Sequence, residues 1–215
     1  MKCDKEIMLL YAVTDRAWLG ERSLKEQVKE ALDGGITCLQ LREKDMTDEE
    51  FLKEALEIGA LCREYKVPFI INDNIDVALR CKADGIHVGQ SDMSARDVRK
   101  IIGENMMLGV SAQTVEQAIE AEKNGADYLG VGAVFSTSTK LDADSVSYAT
   151  LKEICESVSI PVVAIGGISE YNIPELKGSG IDGVALVSAI FASDNITDAC
   201  KKLKKLSEEM VLNEN

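Results

Sequence analysis

A glycine-containing junction that recurs along the chain constrains its fold more than any other feature. Each copy places glycine between the end of a helical pattern and the start of an apolar run. Glycine at this position can take the positive φ that ends a helix before the chain enters the next strand. The junctions lie at 33–36, 82–86, 124–128 and 180–184 and carry Gly35, Gly85, Gly125 and Gly180. The recurrence predicts that helices and strands alternate.

Apolar runs and helical patterns alternate from one end of the chain to the other. We expect strands at 7–14, 37–42, 68–72, 85–89, 106–111, 128–135, 161–166 and 183–188. We expect helices at 23–32, 48–65, 75–81, 95–101, 115–123, 148–158, 173–176 and 196–210. Ser23 with Glu26, and Thr47 with Glu50, have the spacing of a capping box at a helix start. In the helix at 48–65, residues at i, i+3 and i+4 spacing predict one common face. They are Leu52, Ala55, Leu56, Gly59, Ala60 and Arg63.

This alternation predicts an α/β fold, a single (β/α)8 TIM barrel that occupies residues 1–215 as one domain. Strand–helix units recur at about 25-residue spacing without a linker or a shift in composition. A doubly wound open sheet is the alternative, and it usually has a glycine-rich phosphate loop after its first strand. Here that position reads Thr14-Asp15-Arg16, and the next glycine is Gly20. The sequence therefore favours the barrel.

Composition excludes several classes of function. The formal net charge is −13, so a surface that binds nucleic acid through phosphates is not expected. The chain begins without a signal-peptide pattern and has no apolar stretch of about 18 residues, so we expect no membrane span and a cytoplasmic location. Oligomeric state is left open, with a homo-oligomer as one alternative. The cysteines lie far apart and form no CxxC or Cys/His spacing, so we expect them to be reduced thiols. They are Cys3, Cys38, Cys62, Cys81, Cys155 and Cys200.

Polar residues follow the apolar runs, and TIM-barrel active sites lie at the carboxyl ends of the strands. In the second predicted strand, alternation directs Gln40 and Arg42 toward the barrel interior and its mouth. Lys44 follows in the loop, so two cations are available to an anionic ligand. The alternative is that these cations pair with Glu43 or Asp45 on the rim.

Two aspartates follow neighbouring strands. Asp73 comes after the third predicted strand and Asp92 after the fourth. Carboxylates that converge in this way suit a hard, oxygen-ligated cation such as Mg²⁺. The alternative is that one or both aspartates cap the helices that follow them.

His87 is the only histidine, and it lies in the middle of the fourth predicted strand. Alternation directs it inward, below the mouth. An interior histidine with a satisfied hydrogen bond is therefore favoured over a catalytic base. One deep histidine also cannot build a Ser/His/Asp or Cys/His site for nucleophilic hydrolysis.

A second group of anion-binding residues follows strands six to eight. The hydroxyl-rich segment Thr137-Ser138-Thr139 precedes Lys140, and Gly166-Gly167 and Ser188 follow the last two strands. Barrels frequently bind phosphate at that place, although paired glycines can also be a tight turn. Two anion sites, one with a metal, suggest two phosphorylated substrates and a diphosphate that leaves.

An ordered set of motifs resembles the thiamine phosphate synthase family between Tyr11 and Ile190. The set comprises Tyr11-Ala12-Val13-Thr14-Asp15, Gln40-Leu41-Arg42-Glu43-Lys44, Ile71-Asn72-Asp73, the segment 83–92, Leu108-Gly109-Val110-Ser111, Gly125-Ala126-Asp127-Tyr128, Thr137-Ser138-Thr139-Lys140 and Ala164-Ile165-Gly166-Gly167-Ile168.

The resemblance implies a transferase that joins 4-amino-2-methyl-5-hydroxymethylpyrimidine diphosphate to hydroxyethylthiazole phosphate or its 2-carboxy form. The products are thiamine phosphate and diphosphate. Diphosphate leaves first, and the thiazole nitrogen captures the pyrimidine-methyl cation. That nitrogen carries no proton, so the reaction needs no general base, in agreement with the absence of one from the motifs.

The resemblance also implies a role for each site residue. The metal ligands would be Asp73 and Asp92, for one Mg²⁺ per subunit. Residues against the pyrimidine diphosphate would be Gln40, Leu41, Arg42, Glu43, Lys44, Asn72, Ser111 and Lys140. Residues against the thiazole phosphate would be Thr137, Ser138, Thr139, Gly167, Val187 and Ser188. The catalytic residues would be Arg42, Lys44, Lys140 and Ser111.

Two other functions remain as alternatives. A thiazole tautomerase-like isomerase on the same scaffold would handle one thiazole phosphate without a metal. A non-catalytic phosphate-binding barrel would not need both aspartates together with Lys140. The presence of the metal and diphosphate set favours the synthase over both.

Overall fold

The computed structural model describes residues 3–136 and 145–212. Parallel strands close into a barrel in the order of the chain, and the last strand pairs with the first. The strands are β1 Leu10–Val13, β2 Cys38–Leu41, β3 Phe69–Asn72, β4 Gly85–Val88, β5 Met107–Ala112, β6 Tyr128–Val131, β7 Val162–Ile165 and β8 Gly183–Leu186. The predicted (β/α)8 barrel is confirmed.

Helices surround the barrel and connect its strands. They are α1 Lys5–Met8, α2 Leu24–Asp33, α3 Asp48–Tyr65, α4 Ile75–Cys81, α5 Ala95–Ile102, α6 Val115–Lys123, α7 Tyr148–Ser157, α8 Ser188–Phe191 and α9 Ile196–Val211, with 3₁₀ helices at Arg16–Trp18 and Ile173–Leu176. Ser23 and Glu26 form a capping box at the start of α2, and Thr47 and Glu50 form another at the start of α3. Both predicted helix starts are confirmed.

Some predicted bounds were wrong. The strand expected at 7–14 begins only at Leu10, because residues 5–8 form α1, whose first turn is capped by the Asp4 side chain. The strand expected at 128–135 ends at Val131. Helix α8, which directly follows β8, was not predicted. A short apolar run does not distinguish helix from strand by its periodicity, which accounts for the first error.

The role predicted for the junction glycines holds at three positions and was wrong at the fourth. Positive φ angles of 86°, 92° and 88° occur at Gly35, Gly125 and Gly180. Before β4, however, Lys82 takes the left-handed conformation with a φ of 55°. Gly85 is required for space instead, because a Cβ there would lie 2.7 Å from Ile70 Cδ1 and 2.8 Å from the Met107 carbonyl oxygen.

Alternation along the strands divides the apolar residues between two layers. One layer lies between strands and helices and includes Leu39 and Leu41. The other fills the barrel and consists of Met8, Tyr11, Val13, Cys38, Ile70, Met107, Tyr128, Val163 and Ala185. The closed floor leaves the carboxyl ends of the strands as the place where a ligand can enter.

The structure also bears on the composition-based expectations. None of the helices within the described ranges is long and apolar enough to cross a membrane. All six cysteines lie in those ranges as thiols, and none forms a disulfide.

Candidate active site

A cavity of about 470 Å³ opens at the carboxyl ends of the barrel strands. It brings together residues predicted from both anion groups. From the first group it is lined by Gln40, Arg42, Lys44, Asn72, Asp73, Asp92 and Ser111, and from the second by Gly167, Val187 and Ser188. In the closed strand order, the ends of β3 and β4 lie across the mouth from the ends of β7 and β8.

Other predicted site residues lie elsewhere. Leu41 is fully buried in the layer between strands and helices, so its side chain faces away from the cavity. The Glu43 side chain is bound to Arg16 instead of lining the cavity. Thr137, Ser138, Thr139 and Lys140 fall outside the described residues.

Residues that follow β1 hold Arg42 at the mouth. Its backbone N–H donates to Thr14 Oγ1 at 3.0 Å, and its Nη1 lies 3.4 Å from Asp15 Oδ2. The carboxylate that pairs with Arg42 is therefore Asp15, and not the rim residues Glu43 or Asp45 that the sequence left as alternatives. The guanidinium still lines the cavity, where its positive charge is available to an anion.

Asp73 and Asp92 are not helix caps. The N-cap of α4 is Asn74 and that of α5 is Ser94, each of which accepts a backbone hydrogen bond. Asp92 Oδ2 instead accepts from the Gly89 N–H at 2.7 Å, and Asp73 accepts from the Asn72 side-chain amide. Both carboxylates are consequently left to line the cavity.

The two aspartates line the same cavity and influence one another electrostatically. Burial, followed by the negative charge of Asp92, raises the pKa of Asp73 to about 6. Two like charges at one place favour a cation between them. Within 3–136 and 145–212, no three His, Cys, Asp or Glu side chains form a metal cluster, so water and ligand oxygens would have to complete a coordination shell here. Mg²⁺ fits this donor set, because it is commonly bound through one or two carboxylates together with substrate phosphate.

Paired glycines form the other side of the mouth. Gly166 and Gly167 have φ angles of 97° and 67°, which other residues adopt rarely. A Cβ at Gly167 would overlap the Ser136 carbonyl oxygen. After the end of β8, Val187 and Ser188 line the cavity at the point where α8 begins. Among the described residues, backbone groups and a hydroxyl form this side, and no lysine or arginine lines it.

The cavity floor contains residues that were not predicted as part of the site. Tyr11 and His87 line the cavity, together with Gln113. Side chains alternate along β1, and this alternation could have identified Tyr11 as pointing into the barrel. Asp15 could have been identified because it directly follows the first predicted strand, as Asp73 follows the third.

Comparisons with known proteins agree on one family. A family model described as thiamine monophosphate synthase matches residues 10–190. The thiamine-phosphate synthase of Clostridium tetani is 52% identical over 194 residues, which cover 90% of this chain and 93% of that protein. The thiamine-phosphate synthase of Clostridium beijerinckii is 52% identical over 195 residues, which cover 91% of this chain and 93% of that protein. A solved structure of thiamine phosphate pyrophosphorylase from Pyrococcus furiosus superposes with a TM-score of 0.89 at 40% identity and covers 96% of this chain and 98% of that chain.

Proposed function

The chain belongs to the thiamine monophosphate synthase family, and from this premise we propose how its residues carry out the reaction. The substrates are 4-amino-2-methyl-5-hydroxymethylpyrimidine diphosphate and hydroxyethylthiazole phosphate or its 2-carboxy form. The products are thiamine phosphate and diphosphate, and the 2-carboxy form additionally releases its carboxylate as CO2. We place the reaction in the cytoplasm.

One observation carries the assignment of the two substrates to the two sides of the mouth. Asp73, Asp92 and Arg42 line one side of a single cavity, and Gly167 and Ser188 line the other. The first side combines carboxylates with a cation, which suits a diphosphate that arrives with a metal ion. The second side offers amides and a hydroxyl, which suits a monophosphate.

The residues on the diphosphate side stabilise the charge that develops as diphosphate departs. Asp73 and Asp92 would hold Mg²⁺, which supplies positive charge to the phosphate oxygens when it is bound. Arg42, oriented by Asp15, and Lys44 add two further charges at the same side. Lys140 is assigned to the same anion on the resemblance alone.

No side chain is needed to remove a proton. The thiazole nitrogen attacks through its lone pair, so the chain needs only to position the two substrates and stabilise the leaving group. Both ring nitrogens of His87 already contact hydroxyl groups, of Tyr128 and Ser111. This agrees with an interior role for the only histidine.

Product analysis tests this proposal. Purified protein is incubated with the pyrimidine diphosphate, hydroxyethylthiazole phosphate and Mg²⁺, and thiamine phosphate and diphosphate are measured by chromatography. We expect both products in equal amounts, and a large loss of both in Asp73→Asn. Glu120→Gln, on the outer surface, is the matched control and should retain activity. Isomerisation of a thiazole phosphate without any thiamine phosphate would support the tautomerase alternative instead.

A further inference from the structure

A continuous chain of hydrogen bonds crosses the cavity floor from β2 to β5. Gln40 Nε2 donates to the Tyr11 hydroxyl at 2.9 Å, and the Tyr11 and Tyr128 hydroxyls lie 2.7 Å apart. The Tyr128 hydroxyl is 3.2 Å from His87 Nδ1, and His87 Nε2 is 3.0 Å from Ser111 Oγ. The two ends of the chain, Gln40 and Ser111, are both residues proposed to contact the pyrimidine diphosphate.

The Gln40 end determines the direction of donation. A side-chain NH₂ group can only donate, so the Tyr11 hydroxyl accepts there. Tyr11 is 1% exposed, and leaving its single proton without an acceptor would cost about 1–3 kcal/mol. That proton is therefore donated to the Tyr128 hydroxyl.

The same reasoning continues to the far end. Tyr128 is fully buried and has accepted from Tyr11, so it donates its own proton to His87 Nδ1. A neutral imidazole that accepts at Nδ1 carries its proton on Nε2. His87 Nε2 then donates to Ser111 Oγ. Within the described ranges, no protein group then accepts the Ser111 hydroxyl proton.

We propose that Tyr11 and Tyr128 are positioning residues that hold His87 in its Nε2–H tautomer and thereby leave Ser111 as a hydrogen-bond donor to the substrate. This inference rests on the proposed function for the identity of the substrate. The Ser111 proton is accordingly donated to an acceptor on the substrate, which means a ring nitrogen with a lone pair or a phosphate oxygen.

The surrounding backbone is shaped for the contact between Tyr128 and His87. A Cβ at Gly109 of β5 would overlap the Tyr128 hydroxyl and His87 Nδ1, and one at Gly130 of β6 would lie 3.1 Å from His87 Cε1. The Tyr11 and Tyr128 rings also pack edge to face, with centroids 5.8 Å apart. Burial raises the pKa of both tyrosines well above the ordinary value, so each keeps the proton that the chain requires.

The histidine tautomer can be read directly, because the chain contains one histidine. Long-range ¹H–¹⁵N correlation spectra of the substrate-free protein at pH 8 should show a protonated Nε2 and an unprotonated Nδ1. Tyr128→Phe, which removes the donor to Nδ1, should shift the Nδ1 resonance and weaken the preference for this tautomer. A protonated Nδ1 in the unmodified protein would reverse the whole chain and overturn the proposal. This test requires no substrate, so its failure is separate from any failure of the proposed reaction.

A double-mutant cycle tests whether the tyrosine acts through Ser111. Tyr128→Phe should lower kcat/KM for the pyrimidine diphosphate by about tenfold, which corresponds to about 1.4 kcal/mol. In the Ser111→Ala background the same substitution should change kcat/KM by less than about twofold. Full additivity of the two substitutions would show that Tyr128 supports only the fold, and would overturn the positioning role.

Discussion

At the scale of single residues, Glu43 shows how a carboxylate next to the mouth is kept away from anionic substrates. Its side chain is 3% exposed, and Arg16 Nε donates to its Oε2 at 2.8 Å. Arg16 Nη2 also donates to Glu54 Oε1 at 2.6 Å. Burial, and then a hydrogen bond with Glu54, raises the pKa of Glu43 to about 7. Glu43 Oε1 and Glu54 Oε2 are buried, and within the described residues neither has a hydrogen-bond partner.

The raised pKa of Glu43 predicts a pH-dependent effect of Glu43→Gln on stability. The folded state binds more protons than the unfolded state between the ordinary pKa of 4.5 and about 7, so the stability of the unmodified protein falls as pH rises through this window. Glutamine cannot ionise, so the variant avoids this loss. Its free energy of unfolding relative to the unmodified protein should rise by on the order of 1 kcal/mol from pH 4.5 to pH 7.5.

Urea unfolding at several pH values measures the difference. Glu120→Gln, at an exposed position on α6, is the control and should show no such trend. A difference between Glu43→Gln and the unmodified protein that stays constant with pH would contradict the raised pKa of Glu43.

At the scale of elements, the start of α5 separates a structural residue from a proposed metal ligand. Ser94 accepts from the Asp97 N–H as N-cap, whereas Asp92, two residues earlier, lines the cavity. Ser94→Ala should therefore lower the free energy of unfolding by about 1 kcal/mol with little change in activity. Asp92→Asn should keep the stability within about 0.5 kcal/mol and raise the Mg²⁺ concentration needed for half-maximal activity. Normal activity of Asp92→Asn at sub-millimolar Mg²⁺ would show that its carboxylate does not serve the metal.

Helix starts could be predicted from sequence because their determinants are local. The capping boxes at Ser23 and Thr47 each depend on residues three positions apart. The buried face of α3 was less predictable, because it depends on which neighbours the helix meets. It is formed by Phe51, Ala55, Ile58, Gly59, Leu61 and Cys62, whereas Leu56, placed on the predicted face, is 46% exposed.

At the scale of the whole molecule, the closed barrel explains why part of the site could be predicted. Once the barrel is assumed, residues at strand ends are expected to meet at one mouth, and Arg42, Asp73 and Ser188 do line one cavity. The pairing of Arg42 with Asp15 could not be predicted, because it depends on side-chain positions across two strands. The direction of the floor hydrogen bonds likewise requires the three-dimensional contacts of Tyr128.

Thiol reactivity should report on the whole barrel. Cys38, Cys62, Cys81 and Cys200 are buried, whereas Cys3 and Cys155 are partly exposed. In the native protein a thiol reagent should therefore react with at most these two, and slowly with Cys3, because burial raises its pKa to about 12. In denaturant without reductant, six thiols should react. Rapid reaction of six thiols in the native protein would contradict the closed barrel.

The central claim is that two anions bind on opposite sides of one mouth, and calorimetry with separate substrates tests it most directly. Asp92→Asn should weaken binding of the pyrimidine diphosphate with Mg²⁺ by about tenfold or more and leave thiazole phosphate binding within about twofold. Ser188→Ala should give the reverse pattern. If both substitutions weakened binding of the same substrate, the assignment of the two sides would be wrong.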